Sequence, residues 1–148
     1  MIVNTSRFGS VQVNPQRVID FPKGILGFES CKRFVLLQGG QDTSFFWLQA
    51  VQIASLALVV TDPALFVPSY QVVLTGDLME ELDLEAPDQG QVFIIVNKYG
   101  NVLTGNLQGP LVINVKTRTG AQVVLTDRRS ATRVVLVELE SPVQMATA

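Results

Sequence analysis

The sequence predicts an all-β fold with one short helix, an antiparallel sandwich or small barrel. Three observations predict it. Val, Ile and Leu fall in short runs, and Gly, Pro and Asn-rich turns separate them. Only one segment carries helix-start signals. No rhythm of strand, long helix and strand is present, so a doubly wound parallel sheet is not expected.

The elements follow in chain order. Phe8, Val11 and Val13 alternate loosely with polar neighbours, as in a half-buried strand. Residues 33–38 form the next run, closed by Gly39 and Gly40. Runs at 45–51 and 56–61 follow, and Asp62-Pro63 stops the second, since Pro brings no N–H to a ladder. The pattern resumes at 70–75. The helix is expected over 77–82, with Asp77 as N-cap and Glu80 three residues on, a capping box in which Asp replaces Ser or Thr. Residues 91–97 are apolar on both alternating sets, which predicts cover on both faces, and 98–101 turn the chain back. Runs at 110–116, 121–126 and 133–139 complete the set, with Thr119-Gly120 as the hairpin turn between the first two.

Length and composition narrow the function. The 148 residues fit one domain, expected over 1–140, with a frayed tail at 141–148. A hydrophobic fraction of 47% excludes a disordered chain. No apolar run reaches the roughly 18 residues that cross a bilayer, so no membrane partner is expected. The N-terminal residues lack the basic-then-apolar order of a signal peptide, and Cys31 is alone; both predict a cytoplasmic address. There is no histidine, which removes Ser-His-Asp and Cys-His nucleophilic systems and imidazole zinc sites. Catalysis by carboxylates, Lys or Tyr stays open on these grounds, but an enzyme is the disfavoured reading and no cofactor is expected. The net charge of −2 does not match the basic excess of a typical nucleic-acid binder.

Several local features carry possible chemistry. FPKGILGFE, at 21–29, has the breakers of a loop but also Phe21, Ile25, Leu26 and Phe28, where a surface loop would carry polar residues. Gly24 and Gly27 lack the Gly-Lys-Ser/Thr of a phosphate loop and the third Gly of a dinucleotide loop, so they read as tight-turn glycines. Cys31 has basic neighbours but no base, and reads as an unreactive thiol. Asp77, Glu80, Glu81, Asp83, Glu85 and Asp88 crowd one window. That window is either a solvated face or an acidic patch that steers a basic partner. Lys116, Arg118, Arg128, Arg129 and Arg133 form a basic cluster, with no Phe or Tyr between Lys116 and Arg133 to stack on bases. A nucleic-acid-binding barrel using that basic third is the rival reading.

The order and spacing of the motifs resemble the bacterial flagellar assembly factor FliW family, from Ile2 to about Leu136. FPKGILGFE is similar to that family's Phe-Pro-x-Gly-Ile-x-Gly-Phe-Glu signature, and Phe34 follows at the expected distance. Phe46-Trp-Leu-Gln49, Val60-Thr-Asp-Pro63 with Tyr70, and the block from Asn106 to Asn114 resemble further family segments. The chain departs from the family pattern at Ser69, Gly109 and Ser130. The resemblance implies a compact antiparallel β-barrel-like domain that is a binding protein with no enzyme activity, and two partners: flagellin, bound as by a chaperone, and CsrA, the RNA-binding repressor of the flagellin message. It also implies exchange between them, with no direct nucleic-acid contact. A monomer is expected. Glu80, Glu81, Asp83 and Glu85 are the expected CsrA contacts. The signature residues Phe21, Pro22, Gly24, Ile25, Gly27, Phe28 and Glu29 either plug one end of the barrel or present apolar side chains to a partner.

Overall fold

The computed structural model describes residues 1–40, 43–126 and 132–139. The expected tail at 141–148, and Arg128, Arg129 and Ser130, lie outside them. Strands β1 (Ile2–Thr5) and β2 (Gly9–Gln12) form a separate antiparallel hairpin. A second sheet holds β3 (Ile19–Asp20), β4 (Arg33–Leu37), β5 (Phe45–Ala50), β6 (Ala57–Thr61), β7 (Gly90–Tyr99), β8 (Val102–Gly105), β9 (Leu111–Asn114), β10 (Thr119–Gln122) and β11 (Val134–Glu138). One helix, α1 (Gly76–Glu81), lies between β6 and β7.

The pairings of β7, β6, β5, β4, β3, β10 and β9 run back to β7 and close a barrel-like ring. The long β7 makes closure possible. Its residues Gly90–Phe93 pair with β9, and Val96–Tyr99 pair with β8, which carries β11 beyond the ring. Pairing is antiparallel throughout this sheet except between β3 and β10, which meet in parallel at Asp20 and Thr119.

Alternation sorts the core. Leu111 and Ile113 of β9 join Phe21, Phe34, Leu48, Val60 and Phe93 in the main cluster. Val112, pointing the other way, packs with Leu78, Leu82 and Leu84 around α1. On β4, Phe34 joins the main cluster while Val35 meets Val3, Val13 and Val18 near the β1–β2 hairpin. The ring is therefore covered outside at two places, by the helix and by the hairpin.

Four local expectations need correction. Residues 70–75 form no strand; they run as an unladdered connection into α1, although Val72 and Leu74 pack on its cluster. The N-cap is Thr75, whose Oγ1 accepts from the Leu78 N–H at 3.3 Å, and Asp77 sits inside the first turn, where its charge favours the helix dipole. Thr119 and Gly120 lie in β10, and the turn is 115–118, closed by the Arg118 N–H on the Asn114 carbonyl at 2.8 Å. The run at 121–126 is assigned as strand only to Gln122, but Val123 and Leu125 donate on to Pro110 and Gln108.

Candidate partner-binding surface

The segment 21–29 is divided between core and solvent. Phe21 and Ile25 are fully buried, Phe28 is half-buried, and Leu26 is 71% exposed. Phe21 meets Phe34 edge-on, with centroids 5.7 Å apart. Gly24 has φ +73°, and a Cβ there would lie 2.9 Å from the Glu29 Cα, so both the conformation and the space demand glycine. The exposed Pro22 opens the turn. Gly27 donates its N–H to Glu29 Oε1 at 3.0 Å. That bond, joined by Glu29's own N–H and then by Lys32, holds the Glu29 carboxyl below its ordinary value against a small opposing effect of burial. The Leu26 N–H donates to Gln122 Oε1 at 2.8 Å, and Gln122 Nε2 donates to the Gly109 carbonyl at 3.0 Å. One side chain of β10 thus ties the segment to the turn before β9.

Glu80, Glu81, Asp83 and Glu85 are all exposed, on or just after α1. The structure brings them to the segment 21–29: Lys23 Nζ lies 3.0 Å from Glu81 Oε1, the one ion pair of the four among the described residues. The helix ends by reversal. Leu84 donates to the Met79 carbonyl and Asp83 to that of Glu80, with Asp83 at φ 53°, the left-handed position usually given to Gly. Leu84 and Met79 pack together in the same cluster, as that type of helix end requires. The acidic side chains therefore stand on a capped, anchored stem.

The basic side chains do not form one patch among the described residues. Lys116 and Arg118 lie on the β9–β10 turn, facing Arg17 across a cleft. Arg133 instead lies 4.0 Å over the Tyr99 ring. Cys31 is buried, its thiol directed at the Arg33 carbonyl at 3.5 Å. Among the described residues, no three His, Cys, Asp or Glu side chains are placed to share a metal ion, and no helix is long and apolar enough to cross a membrane.

Sequence reasoning missed the buried polar residues that hold the connections. Gln49 is 1% exposed, and its Nε2 lies 3.1–3.2 Å from the carbonyls of Ala50, Ile53, Ala54 and Leu56, inside the β5–β6 connection. Asn114 Nδ2 donates to Leu82 and Asp83, beyond the end of α1. Tyr70 donates its hydroxyl to the Leu107 carbonyl at 2.7 Å, and burial pushes its pKa up to about 12. The available signal was a polar residue set inside an apolar strand run, as Gln49 and Asn114 both are.

Comparison with known proteins places this geometry. The sequence profile of the family described as FliW protein matches residues 2–136. The chain is 41% identical to a flagellar assembly factor FliW of Bdellovibrio bacteriovorus over 135 residues, covering 90% of this chain and 77% of that protein. It is 38% identical to one of Alkaliphilus metalliredigens, covering 84% and 79%. A crystal structure of the flagellar assembly factor FliW superposes with a TM-score of 0.84 at 33% identity, covering 93% of this chain and 97% of that one.

Proposed function

The chain belongs to the FliW protein family, and from that premise we propose that it is a cytoplasmic, non-enzymatic binding module with CsrA and flagellin as alternating partners. Free protein holds CsrA and so relieves repression of the flagellin message. Rising flagellin recaptures the protein and returns CsrA to the message. The observation that carries the CsrA half is the acidic surface: Glu80, Glu81, Asp83 and Glu85 are exposed together on a stem fixed at both ends. An RNA-gripping protein is basic, and such a surface attracts it over a Debye length of about 8 Å at physiological salt. Leu26, exposed in the same segment as Lys23, offers an apolar contact.

Calorimetric titration with CsrA, followed by addition of flagellin to the complex, tests this reading. Binding of CsrA and its displacement by flagellin are expected. If flagellin alone binds, the protein is a chaperone and the acidic surface has no role in translation. If neither binds, the proposed function fails.

A further inference from the structure

The turn at 115–118 faces the short 3-10 turn Pro15–Arg17 across a polar cleft of about 670 Å³. Arg17, Lys116 and Arg118 line it, and among the described residues no Asp or Glu does. None of the three forms an ion pair among the described residues; Asp20 is turned to Arg33, at 3.9 Å. The carboxylates of the acidic stretch also lie off its walls.

Arg118 is the unusual member. It sits at φ 61°, a conformation that favours Gly or Asn, yet a long charged side chain occupies it. Its Nε is buried with no acceptor, and its Nη2 has only a 3.4 Å contact with the Arg17 carbonyl. Burial, and then the neighbouring Arg17, hold this guanidinium below its ordinary pKa. Two guanidinium groups thus adjoin without a counter-charge among the described residues, an arrangement that a carboxylate accepting paired N–H bonds would relieve.

The cleft continues past Asn14, Arg17 and Arg118 into a second one of about 400 Å³. Beyond those three residues and Gln12, its wall is apolar: Val13, Val35, Leu36, Leu37 and Phe46. Phe46, half-buried and packed edge-on against Phe93, is the one aromatic side chain among the described residues of either cleft, a thin provision for stacking on bases. The pairing of a basic end with an aliphatic trough matches an extended peptide that carries an acid beside a branched aliphatic residue.

We propose that this double cleft is a docking site for an acidic, apolar segment of a protein partner. The partner's carboxylate lies on Arg17 and Arg118, and its aliphatic side chain lies in the trough of Leu36, Leu37 and Phe46. The proposal deepens the reading of the chain as a protein-binding module and rests on it.

The test uses the full chain and fluorescence anisotropy with a short labelled peptide alternating Glu and Leu. A matched peptide with Gln for Glu and a single-stranded RNA oligonucleotide run beside it. The Glu peptide is expected to bind, to weaken as salt rises, and to lose about tenfold or more in affinity on Arg17→Gln with Arg118→Gly. Arg118→Gly removes the guanidinium while easing the backbone, so an unchanged Tm is expected; Arg17→Gln alone supplies a second, fold-neutral variant. Equal binding of the Gln peptide, or indifference to both substitutions, would overturn the proposal. RNA binding lost on the same substitutions, without peptide binding, overturns it in favour of a nucleic-acid site. If CsrA and flagellin bind but the Glu peptide does not, the cleft fails alone. If the Glu peptide binds and neither protein does, the cleft stands and the exchange reading fails.

Discussion

Asn114 joins three parts of the molecule through one amide. Its Nδ2 donates to the carbonyls of Leu82 and Asp83 at 2.8 and 3.2 Å, and its Oδ1 accepts from Lys116 and Thr117 at 2.9 and 3.2 Å. With the residue only 1% exposed, water cannot readily replace these bonds. Asn114→Ala is expected to cost about 2–4 kcal/mol, since several partners lose their bonds at once. A urea melt should show a lower midpoint with an unchanged slope; a loss under about 0.5 kcal/mol would mean the turn and the helix end hold without it. Tyr70 gives a second test. Its folded pKa is raised from 10.0 to about 12 because burial disfavours the phenolate. Its contribution to stability is then full below pH 10 and is lost as pH rises towards 12. Tyr70→Phe should flatten the fall in stability across that alkaline window while costing about 1 kcal/mol at neutral pH for the unpaired Leu107 carbonyl. An unchanged alkaline slope would place the titration elsewhere.

At the scale of elements, the meeting of β10 with the segment 21–29 fixes one end of the ring. A Cβ on Gly120 would stand 2.5 Å from the Phe21 ring, so the strand can approach only because that residue is glycine. Gly120→Ala should cost about 1–3 kcal/mol, and Phe21→Leu in the same chain should return part of it, a non-additivity that a double-mutant cycle measures. Simple addition of the two losses would show that they do not press on one another. The same contact explains what the sequence could convey. The runs of β4, β5, β6 and β7 were legible because short apolar runs between turn residues report strands directly, whereas Phe21 stood open between core and partner contact. Two-residue β3 was not legible, because its ladder rests on Arg33 and Phe34 across the sheet and on Thr119 in sequence far away. Residues 70–75 misled for the opposite reason: alternating Val72 and Leu74 serve the helix cluster without any ladder. The four acidic residues were visible as a cluster, but their link to Lys23 depends on tertiary placement.

At the scale of the whole molecule, a net charge of −2 hides a segregation that matters more than the sum. Glu80, Glu81, Asp83 and Glu85 stand at one end of α1, while Arg17, Lys116 and Arg118 gather at a cleft without acids. Reversing charge on the first set should therefore act mainly on encounter with a basic partner. Glu80→Lys with Glu85→Lys leaves the Lys23–Glu81 pair and the Asp83 turn intact, so the fold should melt unchanged. Association with CsrA should slow about tenfold at low ionic strength, and the difference should shrink as salt rises and the Debye length falls to about 3 Å at 1 M. Stopped-flow mixing at the two ionic strengths separates this from a contact effect. Loss carried in the dissociation rate and insensitive to salt would mean the carboxylates touch CsrA in a desolvated interface, where removing one partner leaves the other charge buried. An association rate equal to that of the unaltered chain at both salts would remove the acidic surface from CsrA recognition, and the search would turn to the exposed apolar Leu26 of the segment 21–29.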